Sequence, residues 1–232
     1  MKKLFRLGVA LSAMVGFSAL LSAQAVGASP TKSYLADWEA LNQTVTSFTL
    51  SFKIPQYTCT ATNDAVNMYA NSYDQTSGSF DGGFVYLGCS SQKKAVITPS
   101  LEVDGTYTNP SGLTIKRKDV VEVSVSCGAS GGTAAIVDVT QGQSGSVTTP
   151  AGSSCNGVFM GNIGASNRAG TKVLPLPKFG HIAFSGAEVN GDPIGLASPA
   201  PTSVNYFEGA KNKITVGPLA DTGSAWVNTQ GS

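Results

Sequence analysis

Two stretches of this chain alternate apolar and polar residues with period two. Phe48, Leu50, Phe52 and Ile54 are separated by Thr49, Ser51 and Lys53, and Val121, Val123, Val125 and Cys127 by Glu122, Ser124 and Ser126. Successive side chains of a strand point to opposite faces, so each stretch predicts a strand with one face in a core and the other in water. Pro55 ends the first, because proline has no N–H for a ladder. Shorter apolar runs at 84–87, 95–97, 134–139, 158–160, 181–184, 204–207, 214–216 and 225–227 predict further strands. Turn signals separate them at Asp81-Gly82-Gly83, Asp104-Gly105, Asn109-Pro110, Ser130-Gly131-Gly132 and Asn190-Gly191-Asp192-Pro193. The stretch Ala197 to Ser203 reads as a loop. No amphipathic helix follows the N-terminal apolar segment, and no repeat is present. Many short strands punctuated by turns predict an all-β sandwich or barrel.

The chain can fill such a core. It has 232 residues, 41% of them hydrophobic and only 12% charged, with a net charge of +1. That balance excludes a disordered chain and lacks the basic surplus of a nucleic-acid binder. The run Lys116-Arg117-Lys118-Asp119 reads as a solvated turn, too small for a nucleic-acid face. Lys2, Lys3 and Arg6 precede a short apolar run, Leu7 to Leu21, and small residues follow at Ala23, Ala25 and Ala28. This pattern predicts a cleaved secretory signal peptide over residues 1–28, too short an apolar run to span a bilayer. The mature chain, 29–232, is then a single secreted domain with 12 basic and 14 acidic side chains. In an oxidising compartment Cys59, Cys89, Cys127 and Cys155 predict two disulfides, with three connectivities open.

The usual catalytic constellations are missing. No G-x-S-x-G elbow accompanies the single His181, which reads as a solvent-facing strand residue. No C-x-x-C pair, HExxH or calcium loop predicts a metal, and no glycine loop before a helix predicts a cofactor. Asn42-Gln43-Thr44 fits a glycosylation sequon. Glu102 and Asp104 lie two apart, so on a strand they face one way and could divide acid and base roles. They also read as a polar strand end beside a turn.

The order of several segments resembles the secreted glutamic peptidases, the eqolisin family. Ala36-Asp37-Trp38-Glu39-Ala40 and the strand ending Ile54-Pro55 are similar to its N-W-x-G opening and V-P strand. Phe84 to Cys89 stands where the family has W-x-G-x-D-G. Leu113-Thr114-Ile115, Asp119 to Val125 and Ala135 to Gln143 are similar to its L-T-V, G-D-x-I-x-V-x-V and V-x-N-L-T-T-G-Q run. Phe179 to Ala187 is similar to its F-G-x-V-x-F-x-x-A strand. The likeness runs from about residue 34 to 192. It implies a concanavalin-A-like sandwich of two antiparallel sheets. It also implies a metal-free, cofactor-free acid peptidase chemistry, in which a glutamate activates water and a glutamine amide holds the oxyanion.

The implied catalytic pair does not carry over. Gly161 of Gly157-Val158-Phe159-Met160-Gly161 occupies the position of the family's glutamate, and no carboxylate lies from Thr140 to Ala187. Thr98 takes the glutamine's place, with Gln92 the only glutamine nearby. Leu101-Glu102-Val103 aligns with the family's Y-E-x-Y-P segment, making Glu102 the surviving acid. Phe84 replaces the tryptophan of W-x-G. The resemblance also implies the bridges Cys89–Cys155 and Cys59–Cys127, each closing a large loop and contributing about 4 kcal/mol.

Three functions follow as expectations. The first is a non-catalytic secreted member that binds an extended polypeptide or a glycan, or serves as a surface protein. The second is an acid endopeptidase with a relocated carboxylate, Glu102, and Gln92 or Thr98 facing the intermediate. The third is a lectin-like carbohydrate binder using Trp38, Phe84, Tyr69, Tyr73, Tyr86 or Tyr107. No nucleic-acid partner is expected.

Overall fold

The computed structural model describes residues 34–149, 155–165, 174–207 and 214–231. The predicted signal peptide lies outside them. Among the described residues fifteen strands form two antiparallel sheets packed face to face. The seven-stranded sheet runs β13-β1-β10-β3-β4-β5-β6, and the larger sheet runs β14-β15-β11-β2-β7-β8-β9, with β12 paired to β11. In the first, β1 is Tyr34–Leu41, β3 Ala65–Asp74, β4 Ser79–Cys89, β5 Ala95–Val103, β6 Thr106–Thr108, β10 Gly157–Gly164 and β13 Thr202–Phe207. In the second, β2 is Ser47–Lys53, β7 Val120–Ser126, β8 Gly132–Asp138, β9 Gln143–Thr149, β11 His181–Val189, β12 Asp192–Pro193, β14 Ile214–Thr215 and β15 Trp226–Gln230.

The core lies between the sheets. Phe48, Leu50 and Phe52 of β2 pack with Val121, Val123 and Val125 of β7, the two alternating runs of the sequence. Met68, Val85, Leu87, Val158 and Met160 meet them from the seven-stranded sheet. Each such side chain, fully withdrawn from water, stabilises the fold by roughly 2 kcal/mol. The polar partners Thr49, Ser51, Glu122 and Ser124 remain on the outer face, as their alternation requires.

Several sequence expectations are corrected. Asp81-Gly82-Gly83 is no turn but the middle of β4; the turn is at residues 75–78. Thr202 and Ser203 belong to β13 rather than to a loop. β1, β3 and β9 were not among the predicted strands, although Ala36-Asp37-Trp38-Glu39-Ala40 and Val66-Asn67-Met68-Tyr69-Ala70-Asn71 also alternate. The first eight residues of β3 are all buried, and its polar face, Asn67, Tyr69 and Asn71, is as dry as its core face.

The disulfides are also re-paired: Cys59 joins Cys89, and Cys127 joins Cys155. Cys89–Cys155 and Cys59–Cys127 do not form. Backbone bonds explain the choice. The Val45 N–H donates to the Cys155 carbonyl and the Cys127 N–H to the Thr46 carbonyl, so one short segment holds both sulfurs together. The Cys89 N–H donates to the Asp64 carbonyl, and the Asn63 N–H to the Cys89 carbonyl, which brings the end of β4 against the loop carrying Cys59.

Candidate functional site

The face of the seven-stranded sheet turned away from the core carries the acidic residues of interest. On β1, Ala36, Trp38 and Ala40 pack on the core, so Leu35, Asp37, Glu39 and Leu41 stand on the outer face. The pairing register then sets two rows across the sheet. One runs Asp37, Gly161, Tyr69, Phe84, Ser100. The next runs Glu39, Phe159, Asn71, Gly82, Glu102.

In each row a carboxyl reaches over a glycine to a partner two strands away. The Tyr69 hydroxyl donates to Asp37 Oδ2 at 2.5 Å, across Gly161. The Asn71 amide donates to Glu102 Oε2 at 3.2 Å, across Gly82. Two strands are roughly 10 Å apart, a span that side chains of this length close only over an empty position. A Cβ on Gly161 would lie 2.3 Å from the Ala36 carbonyl oxygen and 2.7 Å from Asp37 Cβ. A Cβ on Gly82 would lie 2.3 Å from the Ala70 oxygen and 2.5 Å from Asn71 Oδ1. Both glycines are therefore required by the approach of their neighbours.

All three carboxyls are held toward the neutral form. Burial pushes Glu102 up to about 7, against the hydrogen bonds from Tyr107 and Asn71, which favour the anion. Burial alone lifts Glu39 to about 7. Asp37 is raised well above the ordinary range by burial, helped by the nearby Glu39. Asp37 Oδ1 is buried and has no partner among the described residues; Asn67 Oδ1 and Asn71 Oδ1, on the same face of β3, share that state. Around these groups sits an aromatic cluster. Phe80 lies 4.8 Å from Tyr73 and 5.6 Å from Phe159 between ring centres, and Phe84 lies 5.8 Å from Tyr107. The face can thus present neutral carboxyls as donors, amide oxygens as acceptors and an apolar bed between them. Among the described residues no group of three His, Cys, Asp or Glu is placed to hold a metal.

The sequence candidates divide accordingly. Glu102, Tyr107 and Phe84 meet on this face: the Tyr107 hydroxyl donates to Glu102 Oε1 at 2.6 Å. Thr98 and Tyr86 lie on the same face, opposite one another on β5 and β4. Gln92 is exposed in the β4–β5 turn, away from both rows. Trp38 points inward, and its indole N–H donates to the Gly217 carbonyl. Asp104 does not join Glu102; it sits at the tip of the next turn at φ 48°, where its N–H donates to Asp81. His181 is exposed at the start of β11. Asp37, Glu39 and Asn71 were not singled out from sequence. The available signal was Leu35-Ala36-Asp37-Trp38-Glu39-Ala40-Leu41, a period-two strand with acids on one face.

With this geometry in view, comparison with known proteins is informative. The family model described as the Peptidase A4 family matches residues 36–216. No curated protein sequence matches the chain. Among solved structures, scytalido-glutamic peptidase with a transition state analog inhibitor superposes with a TM-score of 0.63 at 13% identity. The match covers 86% of this chain and 98% of that one. The structure of SCP-B, a member of the eqolisin family in complex with the tripeptide Ala-Ile-His, superposes with a TM-score of 0.58 at 12% identity, covering 87% and 98%. At these identities the likeness is one of fold: two antiparallel sheets in a sandwich.

Proposed function

The chain belongs to the Peptidase A4 family, and from that premise we propose that it is a non-catalytic member that binds extended polypeptide on the outer face of its seven-stranded sheet. One observation carries this reading. The resemblance places the family's general base at Gly161, and there a side chain of any kind would run into the Ala36 carbonyl and Asp37. Without a base to activate water, the family's hydrolytic step has no starting point. What remains is a face with hydrogen-bonding groups and apolar surface. The neutral carboxyl of Glu39, only partly buried, donates to a peptide carbonyl below about pH 7, so binding is favoured in acid. The reading includes export by the predicted leader, in keeping with four cysteines paired as two disulfides.

The test is incubation of the purified, oxidised protein with a denatured protein substrate from pH 2 to 7, with fragments sought by mass spectrometry. We expect no cleavage, together with retention of the denatured polypeptide at pH 4 that weakens at pH 8. Cleavage peaking below pH 5 overturns the proposal. A second reading, an acid endopeptidase with a relocated carboxylate, is favoured by the Asp37 carboxyl, which lies beside Gly161 with Oδ1 unpartnered. It requires that such cleavage disappear in Asp37→Asn. Glu102 fits that role less well, since Tyr107 and Asn71 each hold one of its oxygens.

A further inference from the structure

The sequence spreads its basic residues thinly, but the fold gathers them. The described residues contain seven lysines and arginines and one histidine, all exposed, and every one stands at one end of the sandwich around residues 53–59. Lys53 closes β2, and with Lys118 and His181 it lines a cleft of about 430 Å³ floored by Ile54, Pro55 and Phe179. On the other side of the same segment, Lys93, Lys94 and Arg117 line a second cleft of about 420 Å³ beside Tyr57 and Cys59. Lys116 adjoins Arg117. Lys178 is tied to the rim of the second cleft by paired backbone bonds with Thr58.

The nearby acids do not neutralise this end. Asp64, Asp119 and Asp138 are buried, and their oxygens accept backbone N–H groups of Ala61, Lys116 and Gln141. Among the described residues, Glu122, half-buried on β7 opposite Ser51, and Glu188, exposed on β11 opposite Thr49, are the acids on the neighbouring outer face, and both stand further along it than Lys53. Two of the lysines also occupy positions that folding alone would give to glycine or asparagine. Lys118 has φ 77° and Lys93 φ 56°. Backbone bonds to the Ile54 and Ser90 carbonyls hold them there. Like charges converging on clefts raise the local concentration of anions.

We propose that this end of the molecule is a second binding surface, which takes an acidic polysaccharide along its two clefts. A chain with repeated carboxylates or sulfates matches cations placed on both sides of one segment. The polar ring hydroxyls of a sugar suit a surface whose apolar lining groups, Ile54, Pro55, Tyr57 and Phe179, are all buried. Single-stranded nucleic acid needs exposed aromatic faces for its bases. Here the Tyr57 face is occupied by the Arg117 guanidinium, 5.8 Å from the ring centre. A lipid surface needs large apolar side chains standing out among the cations, and the only exposed apolar lining residue of the two clefts is the small Ala183.

The test is titration calorimetry of the intact protein with polygalacturonate and with dextran sulfate, against neutral dextran. Binding to one or both anionic chains, absent with neutral dextran and weakened by salt, is expected. The variant Lys53→Gln, Lys93→Gln, Lys94→Gln, Lys118→Gln leaves Arg117 and every buried group in place, and should bind at least tenfold more weakly. A matched melting temperature for this variant shows that the loss is not one of folding. No binding to either anionic chain, or affinity unchanged in the variant, overturns the proposal. So does tighter binding to an oligonucleotide or to anionic phospholipid vesicles. Polypeptide retention on the outer face of the seven-stranded sheet, which none of these four side chains joins, should be unaffected by the substitutions, so this test and the preceding one fail independently.

Discussion

A methyl group added at Gly161 would press against a backbone oxygen that belongs to the adjoining strand, β1, and cannot rotate away. Gly161→Ala should therefore cost about 2–4 kcal/mol, measured by urea unfolding, as steric strain in a packed sheet does. Gly161→Glu should unfold the protein rather than create activity. The buried carboxyls make a second, pH-dependent prediction. Glu102 titrates near 7 when folded against an ordinary 4.5, so the folded state holds the proton more tightly. Its contribution is complete below pH 4.5 and is lost as pH rises through 7. Asp37, also raised, acts in the same direction. Stability should fall across pH 4.5–7, and Glu102→Gln should flatten that fall by up to about 1.4 kcal/mol per pH unit. A melting curve whose pH dependence is identical in wild type and variant would refute it. Tyr69→Phe removes the donor to Asp37, leaves both buried carboxyl oxygens without a partner, and should destabilise the protein in a urea unfolding curve.

Among the elements, the link between β11 and β12 shows how one turn fixes two. Asn190 and Gly191 both have positive φ, the hairpin geometry that an Asn-Gly pair predicts. Asn190 Oδ1 accepts the Thr46 and Ser47 N–H groups and the Thr46 hydroxyl, and its amide donates to the Thr44 carbonyl. Asn190→Ala should thus cost about 1–3 kcal/mol in a chemical denaturation curve, because it leaves several backbone groups unpaired. Strands with one wet face, β2 and β7, were legible from their alternation. β3 alternates too, with Val66, Met68 and Ala70 against Asn67, Tyr69 and Asn71, but it was not singled out, and nothing in the sequence shows that its polar face is buried. The glycines of β4 looked like a turn for a related reason. Gly82 is small to admit Asn71, a demand set by a neighbouring strand that local sequence does not display. The acids of β1 alternate visibly with Ala36, Trp38 and Ala40, but the partners that make their face part of a site, on β10, β3 and β13, come from distant sequence.

At the scale of the molecule, both disulfides join chain from one sheet to chain from the other. Cys127 follows β7 and Cys155 precedes β10; Cys59 follows β2 and Cys89 ends β4. Each closes about 30 residues, and Cys127→Ser with Cys155→Ser should lower stability by about 3–4 kcal/mol. The overall sandwich was readable from strand signals and family likeness, whereas charge placement was not. Lys53, Lys94, Arg117 and Lys178 are far apart in sequence and become neighbours only through tertiary pairing.

The position of β1 has a kinetic consequence. It lies between β10 and β13, partners that follow it by more than a hundred residues in the chain. While the chain is being made, β1 exists as a strand with neither edge paired, and the face bearing Asp37 and Glu39 cannot assemble until β10 arrives. Such non-local pairing makes closure slow and leaves sticky edges exposed meanwhile. Refolding from denaturant should accordingly show the far-ultraviolet β-sheet signal recovering before the Trp38 fluorescence does, and aggregation should compete most strongly in that interval.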